Sequence, residues 1–336
     1  MRPFEFRRAG SSGEALSLAG ADGGHLLAGG TDLIPLLKDS VVRADRLVDI
    51  KRLDDVDAAI SIADDGVRIG ALAILADVAA DARLGERLPL LGQALRAAAT
   101  PQLRAMATVG GNLLQRPRCW YYRNEAFHCW LAGGDDCPAR TGQNQLHAVF
   151  PGGDGNPCCA VHPSDLAPCL LALDAQLLLR DAAGAERNVA AEAFFRLPTP
   201  ERRTETVLAD EVLVAVRMAL PAAGSRSSYV KAMARKAWSF ALAGVAATVE
   251  MRDDSIADAR LVLGGVAGTP WRARAAEDLL RGRAPSEALF ERAARRALEQ
   301  ARPLGHNAYK IPLTRGLIMQ TLRALCAQPQ GRQGSL

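Results

Sequence analysis

The chain has 336 residues, of which 49% are hydrophobic and 23% charged, and its formal net charge is +4 at pH 7. This length and composition predict a globular protein of two or three domains with a sizeable core. The mild charge is spread along the chain without a basic stripe that carries interleaved aromatic residues, which argues against nucleic-acid binding. No apolar run approaches the roughly 18 residues that a membrane-spanning helix requires.

The first residues bear on where the protein works. Residues 1–8 lack the apolar segment of a secretory signal peptide, so a cytoplasmic location is expected from this sequence alone. Export together with a partner that carries a signal would instead bring the chain to the periplasm.

Residues 1–56 are predicted to form a small α/β unit. Its elements follow in the order strand, helix, strand, at residues 26–28, 32–38 and 46–50. The first strand ends at Gly29 and Gly30, and Thr31 is a candidate N-cap for the helix.

The second unit, residues 57–222, begins with a predicted β-hairpin around a turn at 63–66, because apolar and polar residues alternate on both sides. Further helices and strands are predicted at residues 74–82, 88–99 and 164–171, and at 175–179 and 212–218. An insert at about 114–160 has no sustained period of 2 or 3.6 residues. A structureless loop of that length requires an organising agent.

Residues 221–225 are the best linker candidate, and residues 226–330 are predicted to form a compact α+β unit. Its strands and helices are expected at residues 242–250 and 259–265, and at 273–280, 286–300 and 311–325.

Two glycine-bearing turns have the chemistry of an anion site. Gly29 and Gly30 let backbone N–H groups turn toward one point at the end of a strand, and the following helix start adds the positive end of its dipole. Residues 108–112 offer a second turn of the same kind, which favours a dinucleotide over a mononucleotide. An ordinary strand-to-helix turn is the alternative. The G-x-G-x-x-G and G-x-x-x-x-G-K-[ST] patterns are absent, which argues against a Rossmann or P-loop site.

Five of the seven cysteines lie within a 41-residue span: Cys119, Cys129, Cys137, Cys158 and Cys159. Four thiolates in a wrapping loop suit an iron–sulfur cluster. Structural zinc usually comes with C-x2–4-C pairs, which are missing, and disulfides remain open in an oxidising compartment.

Other polar residues near the insert have less specific interpretations. His128 and His147 are alternative ligands in the insert, but a surface or supporting position is expected for each. Ser164 or Asp165 caps the helix that follows, or Asp165 binds a cofactor hydroxyl or ring edge. No Ser-His-Asp or Cys-His pair suggests hydrolytic catalysis, and no catalytic residue is predicted.

Taken in chain order, several segments resemble the FAD-binding (medium) subunit of the molybdenum hydroxylases, the family of xanthine dehydrogenase. The segments are residues 27–33, 107–112, 164–165, 211–214, 229–231, 263–267 and 307–310. The resemblance implies an α+β fold, with a two-subdomain FAD-binding domain of the PCMH (vanillyl-alcohol-oxidase-like) type. A small α+β C-terminal domain of the CO dehydrogenase flavoprotein type would follow.

The resemblance also implies the FAD-binding residues. The pyrophosphate and neighbouring sugar would be held by Leu27, Ala28, Gly29, Gly30, Thr31, Asp32, Leu33, Thr108, Gly110, Gly111 and Asn112. The ribityl chain or isoalloxazine would lie by Asp165, Leu213 and Lys231, and Ser164 is a further cofactor-binding residue.

Two branches of the family carry a cysteine insert that binds a [4Fe–4S] cluster near the flavin: 4-hydroxybenzoyl-CoA reductase and the periplasmic aldehyde oxidoreductases. Residues 112–119 and 158–165 are more similar to the aldehyde branch. On that basis the ligands would be Cys119, Cys129, Cys137 and Cys158. Cys159 is a departure that leaves open which of the adjacent cysteines is the fourth ligand.

The function implied by the resemblance is an electron relay in a heterotrimer. A large subunit with a molybdenum cofactor would oxidise the substrate, a small subunit would carry two [2Fe–2S] clusters, and FAD on this chain would pass electrons to an external acceptor. The alternatives are a subunit like that of 4-hydroxybenzoyl-CoA reductase, a flavin-binding module with a structural zinc insert, and a flavoprotein oxidase that works alone. The substrate and the final acceptor stay open.

Overall fold

The computed structural model describes residues 2–20, 23–150, 152–153, 155–222, 224–236 and 238–327. Its first unit is a parallel sheet in the order β1-β3-β2, flanked by two helices. The elements are β1 (Glu5–Arg8), α1 (Ser12–Ala19), β2 (Gly24–Leu27), α2 (Leu33–Lys38) and β3 (Arg46–Asp49). Strands predicted at 26–28 and 46–50 are confirmed as β2 and β3, whereas β1 and α1 were not predicted.

The start of α2 differs from the prediction. The N-cap position is occupied by Asp32 rather than Thr31, and the Asp32 side chain makes no capping hydrogen bond. Its carboxylate instead accepts hydrogen bonds from Arg116 and Arg123, which are 84 and 91 residues further along the chain. The backbone amide of Arg116 and the guanidinium of Arg123 thus bind this carboxylate in place of the helix amides.

The second unit is an antiparallel sheet in the order β4-β5-β8-β6-β7. Its strands are β4 (Ile60–Ala63), β5 (Gly66–Gly70), β6 (Gln176–Asp181), β7 (Glu186–Ala190) and β8 (Glu211–Met218). Its helices are α3 (Leu75–Ala80), α4 (Ala82–Arg87), α5 (Pro89–Ala97), α6 (Pro101–Arg104), α7 (Val109–Leu113), α8 (Leu166–Ala172) and α9 (Ala191–Phe194). The predicted hairpin is confirmed as β4 and β5, which pair from Ile60 with Ile69 to Ala63 with Gly66.

The insert is irregular, as predicted. Its described residues contain short 3₁₀ turns at Trp130–Ala132 and Pro138–Arg140 and an isolated bridge between Cys129 and Asp136. The aromatic residues Tyr121, Tyr122 and Trp130 are buried inside it. Aromatic packing around the cysteines therefore takes the place of regular secondary structure.

The third unit is an antiparallel sheet in the order β12-β11-β10-β9 with three helices in its described part. The elements are β9 (Arg226–Ala232), β10 (Ala243–Arg252), β11 (Ser255–Gly264), β12 (Trp271–Arg272), α10 (Arg274–Leu280), α11 (Glu287–Ala297) and α12 (Lys310–Cys326). The three predicted helices are confirmed to within a few residues. Within the predicted linker at 221–225, residue 223 lies outside the described residues.

The third unit packs against the second through one face of its sheet. On β10, Val245, Ala247 and Val249 belong to the core that includes α10, α11 and α12, whereas Ala246 belongs to the core of the second unit. This alternation follows from the period of two residues in a strand. The opposite face of the sheet lies on α5 and α8. None of the described helices is long and apolar enough to cross a membrane.

Candidate functional site

The larger of two adjoining cavities lies where the first and second units meet, and the smaller one extends from there between the second and third units. One has a volume of about 240 Å³ and the other of about 80 Å³, and both are lined by Thr31, Asp32, Gly111 and Gln115. The predicted residues on the larger cavity are Leu27, Ala28, Gly29, Gly30, Thr31, Asp32, Leu33, Thr108, Gly110, Gly111 and Leu213. Those on the smaller cavity include Asn112, Asp165 and Lys231. The fold thus brings the two glycine turns together with residues more than 100 positions later in the chain.

Ser164 is the predicted site residue that lines neither cavity. Its hydroxyl lies 2.6 Å from the side-chain oxygen of Asn112 and accepts a hydrogen bond from the amide of Ala167. Ser164 therefore caps α8, which is one of the two roles that the sequence suggested. Its contact with Asn112 also holds that side chain in place.

The first glycine turn has free backbone donors. Within the described ranges, no protein acceptor is found for the amides of Gly29, Gly30, Thr31 and Asp32. Gly30 has a φ of +71°, which turns the chain at this point. Several unpaired amides around a cavity form a site for an anion such as a phosphate. These residues fit the pyrophosphate of a dinucleotide cofactor.

The second glycine turn differs from the first, contrary to the expectation of two equivalent anion sites. The amides of Val109 and Gly110 donate to the carbonyls of Ala73 and Ala71. The amide of Gly111 donates to the hydroxyl of Thr108 at 3.1 Å. Because its donors are already satisfied, this turn gives the cavity a flat glycine backbone rather than free N–H groups.

A buried charged pair lies beside the smaller cavity. The carboxylate of Asp165 accepts a hydrogen bond from Lys231 Nζ at 2.8 Å and another from the Tyr229 hydroxyl at 2.6 Å. Lys231 also donates to the carbonyl of Ala97 at 3.1 Å. Burial raises the pKa of Asp165, while Lys231 and then Tyr229 act in the opposite direction. Asp165 does not cap α8 with its side chain, and it lines the smaller cavity.

The four predicted ligands converge inside the insert: Cys119, Cys129, Cys137 and Cys158. Cys119 and Cys158 pack against the apolar group that contains Cys129, and Cys119 also packs against the group that contains Cys137. Burial raises the pKa of the Cys158 thiol, and charge on any of the other three cysteines raises it further. All four thiols are therefore within electrostatic range of one another.

The adjacent Cys159 is oriented differently from Cys158. Its thiol donates to the carbonyl of Pro157 at 3.4 Å and packs in the same apolar group as Cys137, and the neighbouring Cys159 thiol lowers the pKa of Cys137 to about 6. In the described part of the chain, no group of three or more His, Cys, Asp or Glu side chains is arranged to hold a metal ion.

Sequence reasoning missed a set of arginines that joins the insert to the first glycine turn. The carboxylate of Asp32 accepts hydrogen bonds from the backbone amide of Arg116 and from the side chains of Arg118 and Arg123. Arg116 also pairs with the buried carboxylate of Glu205 at 2.8 Å. The only signal in the sequence is the density of arginines at the start of the insert. Asp32 thus touches both the cavities and the cysteine loop.

The larger cavity also has apolar walls that no motif indicated. These come from separate segments and include Ile50, Leu72 and Leu208. Single apolar residues in unrelated positions carry no pattern, so only the folded chain shows that they meet.

Comparison with known proteins identifies this arrangement. The model of the FAD binding domain in molybdopterin dehydrogenase matches residues 2–221, and that of the CO dehydrogenase flavoprotein C-terminal domain matches residues 228–325. The class of protein is therefore an FAD-binding domain followed by a flavoprotein C-terminal domain, as the resemblance implied. The chain belongs to the family of FAD-binding medium subunits of the multi-subunit molybdenum hydroxylases, which are oxidoreductases.

Individual relatives cover nearly the whole chain. The aldehyde oxidoreductase FAD-binding subunit PaoB of Escherichia coli (strain K12) is 34% identical over 98% of this chain and 100% of its own length. The glyceraldehyde dehydrogenase medium chain of Sulfolobus acidocaldarius is 28% identical over 95% of this chain and 97% of its own. Among solved structures, carbon monoxide dehydrogenase from Hydrogenophaga pseudoflava is similar with a TM-score of 0.76 and 28% identity. That similarity covers 97% of this chain and 98% of the other.

Proposed function

We propose that this chain is the FAD and [4Fe–4S] electron-transfer subunit of a heterotrimeric molybdenum-containing aldehyde oxidoreductase. Electrons from a molybdenum subunit and a [2Fe–2S] subunit would pass through FAD to an external acceptor. The observation that carries the proposal is the convergence of four thiols in a loop joined through Asp32 to the wall of the cavities.

The FAD site is proposed to extend across both cavities. The free amides at residues 29–32 would bind the pyrophosphate, and the glycine backbone of the second turn would lie against the neighbouring sugar. Asp165, Lys231 and Leu213 would contact the ribityl chain or ring. Bound flavin takes up electrons singly or in pairs, so it couples one-electron carriers to a two-electron acceptor.

The cysteine loop fits a cluster better than a single ion. A four-iron cluster takes one thiolate at each iron, so its ligating sulfurs stand farther apart than those around one zinc. The four cysteines pack in two apolar groups that share Cys119, and this grouping is what supports the proposed cluster. Cys158 is the proposed fourth ligand, because it packs against the group that contains Cys129, whereas the thiol of Cys159 is engaged with the carbonyl of Pro157.

The aldehyde branch is favoured by the full-length relative with 34% identity, whose name is that of an aldehyde oxidoreductase subunit. In the reductase branch the gap between the first two cysteines is longer than the nine residues that separate Cys119 from Cys129 here. The acceptor is proposed to be external to the complex.

The decisive experiment is an anaerobic absorption spectrum of the assembled complex with iron, acid-labile sulfide and flavin assayed on the same sample. The Cys129→Ser variant should lose about four irons per flavin and keep its FAD. Cys326→Ser, outside the insert, is the matched control and should keep both. Unchanged iron in Cys129→Ser, or stoichiometric zinc without sulfide in the unaltered chain, would contradict the cluster.

A further inference from the structure

A histidine outside the cavities lies against one of the proposed cluster ligands. Nε2 of His147 is 3.1 Å from Sγ of Cys119, and the residue is only 2% exposed. The ring of Trp120 stands edge-on against the imidazole at a centroid distance of 5.0 Å. The other ring nitrogen, Nδ1, has no partner within the described residues. The imidazole is therefore fixed with one nitrogen directed at sulfur.

The third unit holds the backbone around this histidine. The side-chain amide of Asn307 donates to the carbonyls of His147 and Ala148 at 3.2 and 2.9 Å. Lys310 Nζ donates to the carbonyl of Leu146 at 3.0 Å and to that of Gly265 at 2.8 Å. Asn307 and Lys310 are both fully buried. Residues at the start of α12 thus fix the position of a loop that lies more than 150 residues earlier.

The segment is also bonded to the cysteine loop itself. The amide of Ala148 donates to the carbonyl of Cys159 at 2.8 Å, and the amide of His147 donates to the carbonyl of Asn144 at 3.0 Å. These bonds fix the backbone at His147, and packing of the buried ring against Trp120 and Tyr121 holds the imidazole beside Cys119.

We propose that His147 donates an Nε2–H hydrogen bond to the sulfur of Cys119 and thereby raises the reduction potential of the cluster. The inference rests on the proposed function, in which Cys119 binds that cluster. A ligating thiolate has no proton to give, so the nitrogen must be the donor, and both the neutral ring with its proton on Nε2 and the imidazolium satisfy this requirement. His147 is a positioning residue that acts through Cys119.

The direction of the effect follows from charge. A hydrogen bond to a thiolate stabilises negative charge on the sulfur, and the reduced cluster carries one electron more than the oxidised one. Donation by His147 therefore favours the reduced state. Removal of the donor is expected to shift the midpoint potential to a more negative value while the four thiolate ligands stay in place.

The test uses the assembled complex and three variants. His147→Phe keeps a ring and removes the N–H, His147→Gln keeps an N–H donor, and His128→Phe makes the same change at an exposed histidine of the insert. Iron and sulfide are assayed first. Redox titration followed by electron paramagnetic resonance then gives the potential of the signal that Cys129→Ser removes. Proton couplings to the reduced cluster are measured in H₂O and D₂O.

We expect His147→Phe to retain its iron, to lose one exchangeable proton coupling and to titrate at a more negative potential, with His128→Phe unchanged. A filled cluster with unaltered coupling and potential in His147→Phe would overturn the role of His147 alone. Absence of iron and sulfide from the unaltered complex would overturn the cluster proposal itself, and this inference with it.

If His147→Phe fails to assemble a cluster, the His147→Gln variant tests the donor role instead. A filled cluster that keeps the exchangeable coupling and the potential of the unaltered protein supports the donor role. A filled cluster without the coupling, at an unchanged potential, contradicts it.

Discussion

Gly29 shows at the scale of a single residue how tightly the two glycine turns are packed. A Cβ placed on Gly29 would lie 2.0 Å from the carbonyl oxygen of Met106 and 2.8 Å from its carbonyl carbon. The requirement for glycine thus comes first from close packing of backbone against backbone, whereas the sequence suggested approach to a phosphate. Any side chain here must push the two turns apart.

We expect Gly29→Val to lose most of its FAD, to less than about a tenth of the flavin per chain, since displacement of the turn removes the free amides from the cavity. Flavin absorbance relative to protein concentration measures this. Gly85→Ala is the control, because a Cβ at Gly85 meets nothing within 4 Å and alanine is the better helix former. Full flavin content in Gly29→Val would contradict the assignment of this turn.

His162 is a single residue that is expected to make the stability of the folded protein depend on pH. It is 4% exposed, and burial lowers its pKa to about 4, whereas an unfolded histidine titrates near ~6.5. Below ~6.5 the unfolded chain therefore takes up a proton that the folded chain does not. The stability associated with neutral His162 is fully present above ~6.5 and is lost as the pH falls toward about 4.

The expected loss is up to ~1.4 kcal/mol per pH unit for one such group. Denaturant titrations at pH 7 and pH 5 should show a smaller drop in the free energy of unfolding for His162→Leu than for the unaltered protein. An equal drop in both proteins would show that His162 does not carry this dependence.

Among the elements, α2 begins with a carboxylate, that of Asp32, that binds the insert rather than the amides of its own helix. The side chain of Asp32 is 16% exposed and accepts hydrogen bonds from two arginine side chains and one amide of the insert. Hydrogen bonds to charged groups are worth about 1.5–3 kcal/mol each. The carboxylate therefore contributes more to fixing the insert than to starting the helix.

Asp32→Asn should loosen the insert and leave α2 formed. We expect a loss of stability of about 2 kcal/mol and faster hydrogen exchange at residues 116–123, because the arginines lose a charged acceptor. Asp39→Asn, at the exposed C-terminal end of the same helix, is the matched control. Exchange rates that rise equally in both variants would contradict the link between Asp32 and the insert.

Elements with a clear period were predictable from the sequence, and the contacts of the insert were not. The β4–β5 hairpin follows from alternation around a short turn, and α11 follows from an apolar face with Ser286 as its N-cap. Arg116 pairs with Glu205, about 90 residues later in the chain. Asn307 bonds to the backbone of His147, about 160 residues earlier. No local pattern records such pairs, so only the composition of the insert and its resemblance to a family indicated its role.

For the whole molecule, the pair of Asp165 and Lys231 is the main charged contact at the smaller cavity between the second and third units. Both side chains are almost completely buried, at 6% and 2% exposure. Removal of one partner of a buried pair leaves an uncompensated charge, while replacement of both by apolar residues is often close to neutral. Single and double variants of this pair can therefore separate its effect on stability from its effect on FAD binding.

Lys231→Met is expected to cost about 3–5 kcal/mol of stability and to weaken FAD binding. The double variant Asp165→Leu, Lys231→Met should recover most of the stability without recovering the flavin. Denaturant titration and flavin content on the same samples check both parts. A double variant that regains full flavin would show that the pair only supports the fold.

Segments that are distant in the chain hold the thiols in position, and this decides when during synthesis the thiol pocket can form. The loop that carries them is held by Asp32 near the beginning of the chain, by Glu205 through Arg116 in the middle and by Asn307 close to the end. A ribosome delivers these segments one after another, and domains fold as they emerge. The thiol pocket is therefore complete only after nearly all of these segments have been synthesised. Loading of the proposed cluster would then be a late, post-translational event rather than one that accompanies synthesis.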